Sequence, residues 1–321
     1  MVAAVQAALY PGLLALGCAV LMDAFVRLPS ALHPVAWFGK LAQVGIAHAP
    51  LARARSAFGA GLVLALGLPA LACALVLGAL WLSARAHAGL SLALQALVLY
   101  ACVCLYGLLD AARELDRALD EGLPAARARL SWLCSRDAAQ LEEPDLVNGA
   151  IESLAENLSD SVVAPLFYLA CFGLPGAVAY RAINTLDAMI GYRGRYEWLG
   201  KAAARLDDVA NLLPARLTAL LLWLAALSCS RSQRLSVQRG LDVWRADRRR
   251  TPSPNGGHPM AMAAGLLGVQ LDKPECYVLG AALPRPGRAD LRRALVLCRH
   301  AGWLALALAA LVLWQRGGGL V

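Results

Sequence analysis

The 321-residue chain predicts an all-α, multi-pass integral membrane protein of four to six membrane segments, with room for re-entrant hairpins. Three observations point there. The composition is 59% hydrophobic and only 16% charged, with a mean hydropathy of +0.56, well outside the range of a soluble domain. Long charge-free runs recur, and spanning about 30 Å of hydrocarbon takes about 20 such residues. Between the runs lie loops rich in arginine, the pattern of segments held at the cytoplasmic face.

Taken in order, residues 3–21 form the first run, ending at Asp23. No basic stretch precedes it and no small-residue cleavage site follows, so it reads as a retained segment and not a signal peptide. Runs 57–82 and 90–109 are the clearest spans, separated by a turn at 83–89 whose one basic residue is Arg85. Run 301–314 borrows from 295–300, which places Arg299 and His300 at its edge. Two further runs are ambiguous: 162–179 contains Pro165, Gly173, Pro175 and Gly176, and 212–227 contains Pro214 and Arg216.

The loops 27–56, 110–161, 181–211 and 228–299 all carry several basic residues. If all four face the cytoplasm, the ambiguous runs re-enter as hairpins whose backbone is satisfied by protein or water. If both cross, there are six spans and the loop 181–211 lies outside. The charge bias favours the first arrangement, within a single polytopic domain over 1–321. Residues 110–121 pair opposite charges at i,i+3 and i,i+4 and predict a solvated helix. The stretch 231–251 ends in Arg248-Arg249-Arg250 and predicts a helix near anionic headgroups. No internal repeat supports a transporter of duplicated halves.

The net charge of +8 comes from arginine, since Lys40, Lys201 and Lys273 are the only lysines. Loops held at the membrane face account for the excess as well as an anionic ligand does, and no nucleic-acid partner is indicated. Nine cysteines, several in apolar runs, form no CxxC pair or Cys/His cluster, which argues against a disulfide frame or a zinc site. No P-loop and no dinucleotide fingerprint occurs.

Chemistry concentrates in residues 152–216, where carboxylates and carboxamides alternate with greasy stretches. A charge near hydrocarbon costs several kcal/mol unless paired, metal-bound or wet. Glu152, Glu156 and Asp160 fall at i, i+4 and i+8 on one helical stripe, with Asn157 beside them. Like charges at that spacing repel, so a divalent cation or a set of arginine partners must resolve the conflict. Asn184 and Asp187 lie one turn apart, followed by Gly191 and Arg193. Asp207, Asp208, Asn211 and Arg216 fit one helix that presents carboxylate, amide and guanidinium, or else a buried ion pair between helices. Ser253-Pro254-Asn255-Gly256-Gly257-His258-Pro259 reads as a glycine-rich turn opening a helix, either an ordinary cap or an anion site. His33, at a membrane edge, reads as structural before catalytic, and Arg136-Asp137 as a local ion pair or a phosphate clamp.

These segments, in this order, resemble the integral-membrane adenosylcobinamide-phosphate synthases of cobalamin biosynthesis, the CbiB/CobD family. The matching stretches are MDAFVRLPSALHPVAWFGK, Ser-Arg-Asp at 135–137, IESLAENLSDSVVAPLFY at 151–168 and AYRAINTLDAMIGYRGRY at 179–196. ARLDDVANLLPARLTA at 204–219 and SPNGGHPMAMAAGLLGVQL at 253–271 complete the set. The resemblance implies a multi-pass enzyme of the inner cell membrane. It would use ATP and Mg²⁺ to join the carboxylate of adenosylcobyric acid to 1-amino-2-propanol or aminopropanol phosphate. Activation of the carboxylate, most simply as an acyl phosphate, would precede attack by the amine. Other late enzymes of the pathway are candidate partners beside the lipid membrane.

On that resemblance Glu152, Glu156, Asp187 and Asp208 are the catalytic candidates. Glu152, Glu156, Asp160, Asp207 and Asp208 are the metal candidates. Arg136, Asn157, Asn184, Arg193, Asn211, Arg216 and Asn255 are expected to hold phosphate or corrinoid amide groups, a task that suits the bidentate guanidinium well. The chain departs from the family pattern at Ser161, where glycine is expected, at Ala188, where serine is common, and at His258 and Met260. An aromatic residue and a glutamate usually flank the proline there, so no role passes to either position. The competing readings are a non-catalytic membrane sensor or permease of the same fold, and a phosphotransferase for lipid alcohols. LDDVANLLPAR lacks the glycine and the later aspartates that the phosphotransferase needs.

Overall fold

The computed structural model describes residues 11–29, 31–134, 138–192, 194–317 and 319–320, without the side chains of Ser230 and Arg231. Helix dominates. In chain order the helices are α1 (Pro11–Phe25), α2 (Pro34–Ala47), α3 (Ala54–Ala86), α4 (Ala88–Cys102), α5 (Tyr106–Glu121), α6 (Leu123–Leu130) and α7 (Glu143–Leu158). A π-helical turn, Ser159–Val163, leads into α8 (Ala164–Ile190), followed by α9 (Lys201–Ala210), α10 (Leu212–Gln233), α11 (Val237–Asp247) and α12 (Gly257–Leu267). A two-stranded antiparallel ribbon, β1 (Leu271–Lys273) and β2 (Tyr277–Leu279), precedes the last helix, α13 (Arg288–Gln315).

Four stretches are long and apolar enough to cross a membrane: Ala54–Ala86, Glu143–Ile190, Leu212–Cys229 and Arg288–Gln315. The all-α, multi-pass fold class is therefore what the chain adopts. The expected span at 90–109 is met by a bent pair: α4 stops at Cys102, Val103 is extended (φ −112°, ψ 125°), and α5 begins at Tyr106 at an angle of 43°, so the run is a broken span or a re-entrant loop. Val103, Cys104 and Leu105 are as apolar as any helical residue, so hydropathy does not register the break. The helix within 3–21 is described from Pro11 onward. Run 212–227 is one unbroken helix, because Pro214 occupies the first turn, where a missing N–H removes no hydrogen bond. In 162–179 the break falls at Gly173 (φ 70°, ψ −162°), a conformation open to glycine, and Pro175 follows it.

The chain divides into two compact units. One comprises 1–104, 164–210 and 307–321. Its core packs Ala42 and Ile46 of α2 with Ala65 of α3, Leu186 and Ile190 of α8, and Leu199, Ala202 and Ala203 at α9. The backbone N–H of Leu174, beside the Gly173 kink, donates to Leu320 O at 2.7 Å.

The other unit comprises 105–163 and 211–306. Its α7 is buried along most of its length, from Leu146 to Ala155 and again at Leu158. Helix α5 buries Leu108, Leu109, Ala112, Leu115 and Ala118, and its acidic face is more than solvated. Asp116 pairs with Arg288 at 3.1 Å and Arg292 at 2.9 Å, and Asp120 with Arg288 at 2.7 Å. Helix α11 supports α12: Arg239 Nε donates to Gly265 O at 3.0 Å, and buried Gly240 faces Leu266. One face of the arginine-rich stretch is thus committed to protein.

Candidate functional site

In the second unit the polar side chains gather where α12 begins. Asn255 is 5% exposed. Its Oδ1 accepts a hydrogen bond from Arg216 Nη1 of α10 at 3.1 Å, and Arg216 Nη1 also donates to Leu212 O at 2.6 Å. The turn itself is braced from within: Thr251 Oγ1 donates to Ser253 O at 2.8 Å, Asn255 N donates to Ser253 Oγ at 3.2 Å, and His258 N donates to Asn255 O at 2.9 Å. No side chain caps α12, whose N-cap is Gly256. Pro259 has no N–H and the His258 N–H is committed to Asn255 O, so the Gly257 N–H and the positive end of the dipole are what this helix start offers an anion.

The turn at Gly256 lies close against α7. A Cβ there would meet Glu156 Oε1 of α7 at 2.7 Å, so the Glu156 carboxylate lies directly against the turn. One turn earlier on the same stripe, Glu152 is buried at 4% exposure. Asp160 is half-buried inside the π-turn, a distortion that recurs at functional sites because it re-aims the side chains around it.

His258 adds a feature that no local pattern announces. It is 5% exposed, packed edge-on against Trp244 with ring centroids 5.7 Å apart, and its Nδ1 has no hydrogen-bond partner among the described residues. Burial first, then the positive charges of Arg216, Arg248 and Arg249, lower its pKa from 6.5 to about 4, so the ring is neutral at pH 7. Those three guanidiniums make this corner electropositive. Asn148 was missed as well: it holds the ribbon by accepting from Asp272 N at 3.1 Å and donating to Asp272 O at 2.6 Å, a pairing across 124 residues.

In the first unit, Asn184 Nδ2 of α8 donates to Asp207 Oδ1 of α9 at 3.2 Å, bringing together two of the predicted residues. Asp187 lies one turn further along α8, with its carboxylate against Gly191, whose N–H donates to Asp187 O at 2.6 Å. Asp208 pairs with exposed Arg205 at 3.8 Å. Tyr168 caps the end of α9 through Ala210 O at 2.9 Å.

Other candidates have local roles or lie elsewhere. The Asn157 carboxamide is turned onto its own helix, donating to Ser153 O and Ser153 Oγ, both at 2.9 Å. Asn211 is buried and its carbonyl accepts from Ala215 N at 3.0 Å, at the start of α10. Arg136 and Arg193 lie outside the described residues. No three His, Cys, Asp or Glu side chains gather into a metal-holding group among the described residues. A cage built wholly of protein ligands thus does not fit. Magnesium held by one or two carboxylates and by substrate phosphates does, because Glu156 sits beside an uncapped helix start.

The comparisons with known proteins agree on one family. The model described as CobD/Cbib protein matches residues 16–298. A probable cobalamin biosynthesis protein CobD from Methanothermobacter thermautotrophicus is 40% identical over 264 residues, 82% of this chain and 84% of that protein. The cobalamin biosynthesis protein CobD of Geobacter metallireducens is 40% identical over 282 residues, 85% of each chain. The cobalamin biosynthesis protein CbiB of Salmonella paratyphi B is 40% identical over 218 residues, 67% of each. No solved structure matches. With the family model covering most of its length and these relatives at about 40% identity, the chain belongs to the CobD/CbiB family of cobalamin biosynthesis.

Proposed function

We propose that the chain is an amide-forming ligase of the inner cell membrane. It uses ATP to join the side-chain carboxylate of adenosylcobyric acid to 1-amino-2-propanol or its O-phosphate, giving adenosylcobinamide or its phosphate. The observation that carries this reading is the corner at the start of α12, where Arg216, Asn255 and Glu156 meet around Gly256.

An amide does not form from a carboxylate and an amine without activation, and activation by ATP asks the protein for positioning and charge stabilisation more than for covalent work. Arg216 and the Gly257 N–H at the positive end of α12 hold phosphate oxygens, with Asn255 fixing the guanidinium's orientation. Neutral, buried His258 adds a polar atom to that corner without repelling a cation. Glu156, with Glu152 or Asp160, would hold Mg²⁺, which would neutralise the phosphate charge. The incoming ammonium must lose a proton before its nitrogen can attack, and a carboxylate of the α7 stripe that does not hold the metal is the proposed acceptor. The corrinoid carboxylate takes the γ-phosphoryl group of ATP, with ADP leaving, and the deprotonated amine then attacks the acyl phosphate, forming the C–N bond as inorganic phosphate leaves.

The test is direct. Membranes holding the protein are incubated with adenosylcobyric acid, ATP, Mg²⁺ and aminopropanol phosphate, and the corrinoid is weighed by mass spectrometry. The mass of the amide is expected, dependent on ATP. Its absence from normally inserted protein would refute the ligase reading and favour a sensor or permease.

A further inference from the structure

The first unit contains an apolar cavity of about 300 Å³ between α2, α3, α4 and α8, at the low end of the range of about 300–1,000 Å³ for ligand sites. Its mouth is framed by Trp37, Leu41, Leu71 and Leu75, which are 44–62% exposed. Leu71 and Leu75 belong to α3, which has the smallest buried share of the candidate spans. Almost the whole lining is apolar, and Arg181 is its only charged residue.

Arg181 is the anomaly. It belongs to a stretch apolar enough to cross a membrane, where a charge is costly unless matched. No carboxylate lies within ion-pair distance of it among the described residues. Its Nε and Nη2 donate to Cys102 O, at 3.1 and 2.7 Å, the open carbonyl at the end of α4. A helix C-terminus carries about half a negative charge, so that contact leaves the guanidinium with a net positive field. Nη1 has no hydrogen-bond partner among the described residues. Arg181 thus meets the last carbonyl of α4, on the cavity to which Pro34 and Val35, just after the His33 cap of α2, also contribute.

We propose that this groove holds one acyl chain of an anionic glycerophospholipid, with the lipid phosphate bound by Arg181. The charge answers an arginine that the protein leaves unmatched, the chain answers the apolar lining, and the exposed leucines provide lateral entry from the bilayer. The inference does not depend on the proposed reaction, and its test needs no turnover.

The full-length protein is extracted in a mild detergent and presented with phosphatidylglycerol and phosphatidylcholine of identical acyl chains. Retained lipid is counted by native mass spectrometry. Wild type is expected to keep one lipid per chain and to prefer the anionic one about fivefold. Arg181→Gln should bring the two lipids to parity, and Arg181→Lys should restore most of the preference, with unchanged thermal midpoints showing intact folds. Ala72→Trp, which fills the groove, should abolish retention of both lipids. Equal retention of the two lipids by wild type would overturn the proposal, as would a preference that survives Arg181→Gln. Displacement of the lipid by adenosylcobyric acid, one for one, would also overturn it and assign the groove to the corrinoid.

Discussion

Arg216 donates to the carboxamide of Asn255 at 3.1 Å, across 39 residues of sequence, and this bond ties the turn that opens α12 to the first turns of α10. Both residues belong to stretches that read as weak motifs in isolation. Joined, they place a guanidinium, an uncapped helix start and the Glu156 carboxylate around one glycine.

That glycine separates function from stability. Gly256 has an ordinary helical φ of −54°, so Gly256→Ala adds no backbone strain. The new Cβ meets Glu156 Oε1, the far end of a flexible side chain, which can swing away at little cost. Stability should change by less than about 1 kcal/mol, within the usual range of minor substitutions, while activity falls at least about tenfold. Denaturation midpoints and amidation rates on the same preparation check both halves.

Asn184→Ala addresses the other unit. It removes a hydrogen bond to the Asp207 carboxylate, and bonds to charged groups contribute about 1.5–3 kcal/mol. The half-buried position of both residues places the expected loss near the lower end of that range. Asn184→Asp should be worse than alanine because it sets two carboxylates against each other. Thermal midpoints of the two variants give the order.

His258 gives a pH dependence with a defined sign. Its folded pKa of about 4 lies below the unfolded value of 6.5, so the unfolded chain binds the proton more readily in between. Stability should be fully present above pH 6.5 and decline as the pH falls towards 4. His258→Gln should flatten that decline when midpoints are followed from neutral to acidic pH. An unchanged slope would place the effect on other groups.

Much of the fold was legible because long apolar runs carry their own explanation: α3 covers the run 57–82 and α13 the run 301–314. The glycine and prolines of 162–179 announced a break, and it falls at Gly173. The break at Val103 was hidden because nothing in its side chain distinguishes it from its neighbours. At the site, spacing put Glu152 and Glu156 on one stripe of α7, yet it showed neither the π-turn that takes in Asp160 nor the turn of Asn157 back onto Ser153, since a rotamer decides the latter. The parts played by His258 and Asn148 depend on Trp244 and Asp272, partners that no local pattern names.

The most direct test of the account is the Michaelis constant for ATP in Arg216→Gln, measured beside that for adenosylcobyric acid. If Arg216 holds phosphate at the start of α12, the constant for ATP rises at least about tenfold, the scale of one lost charge-assisted contact, while that for the corrinoid stays put. An unchanged ATP constant, or equal rises in both, would contradict it.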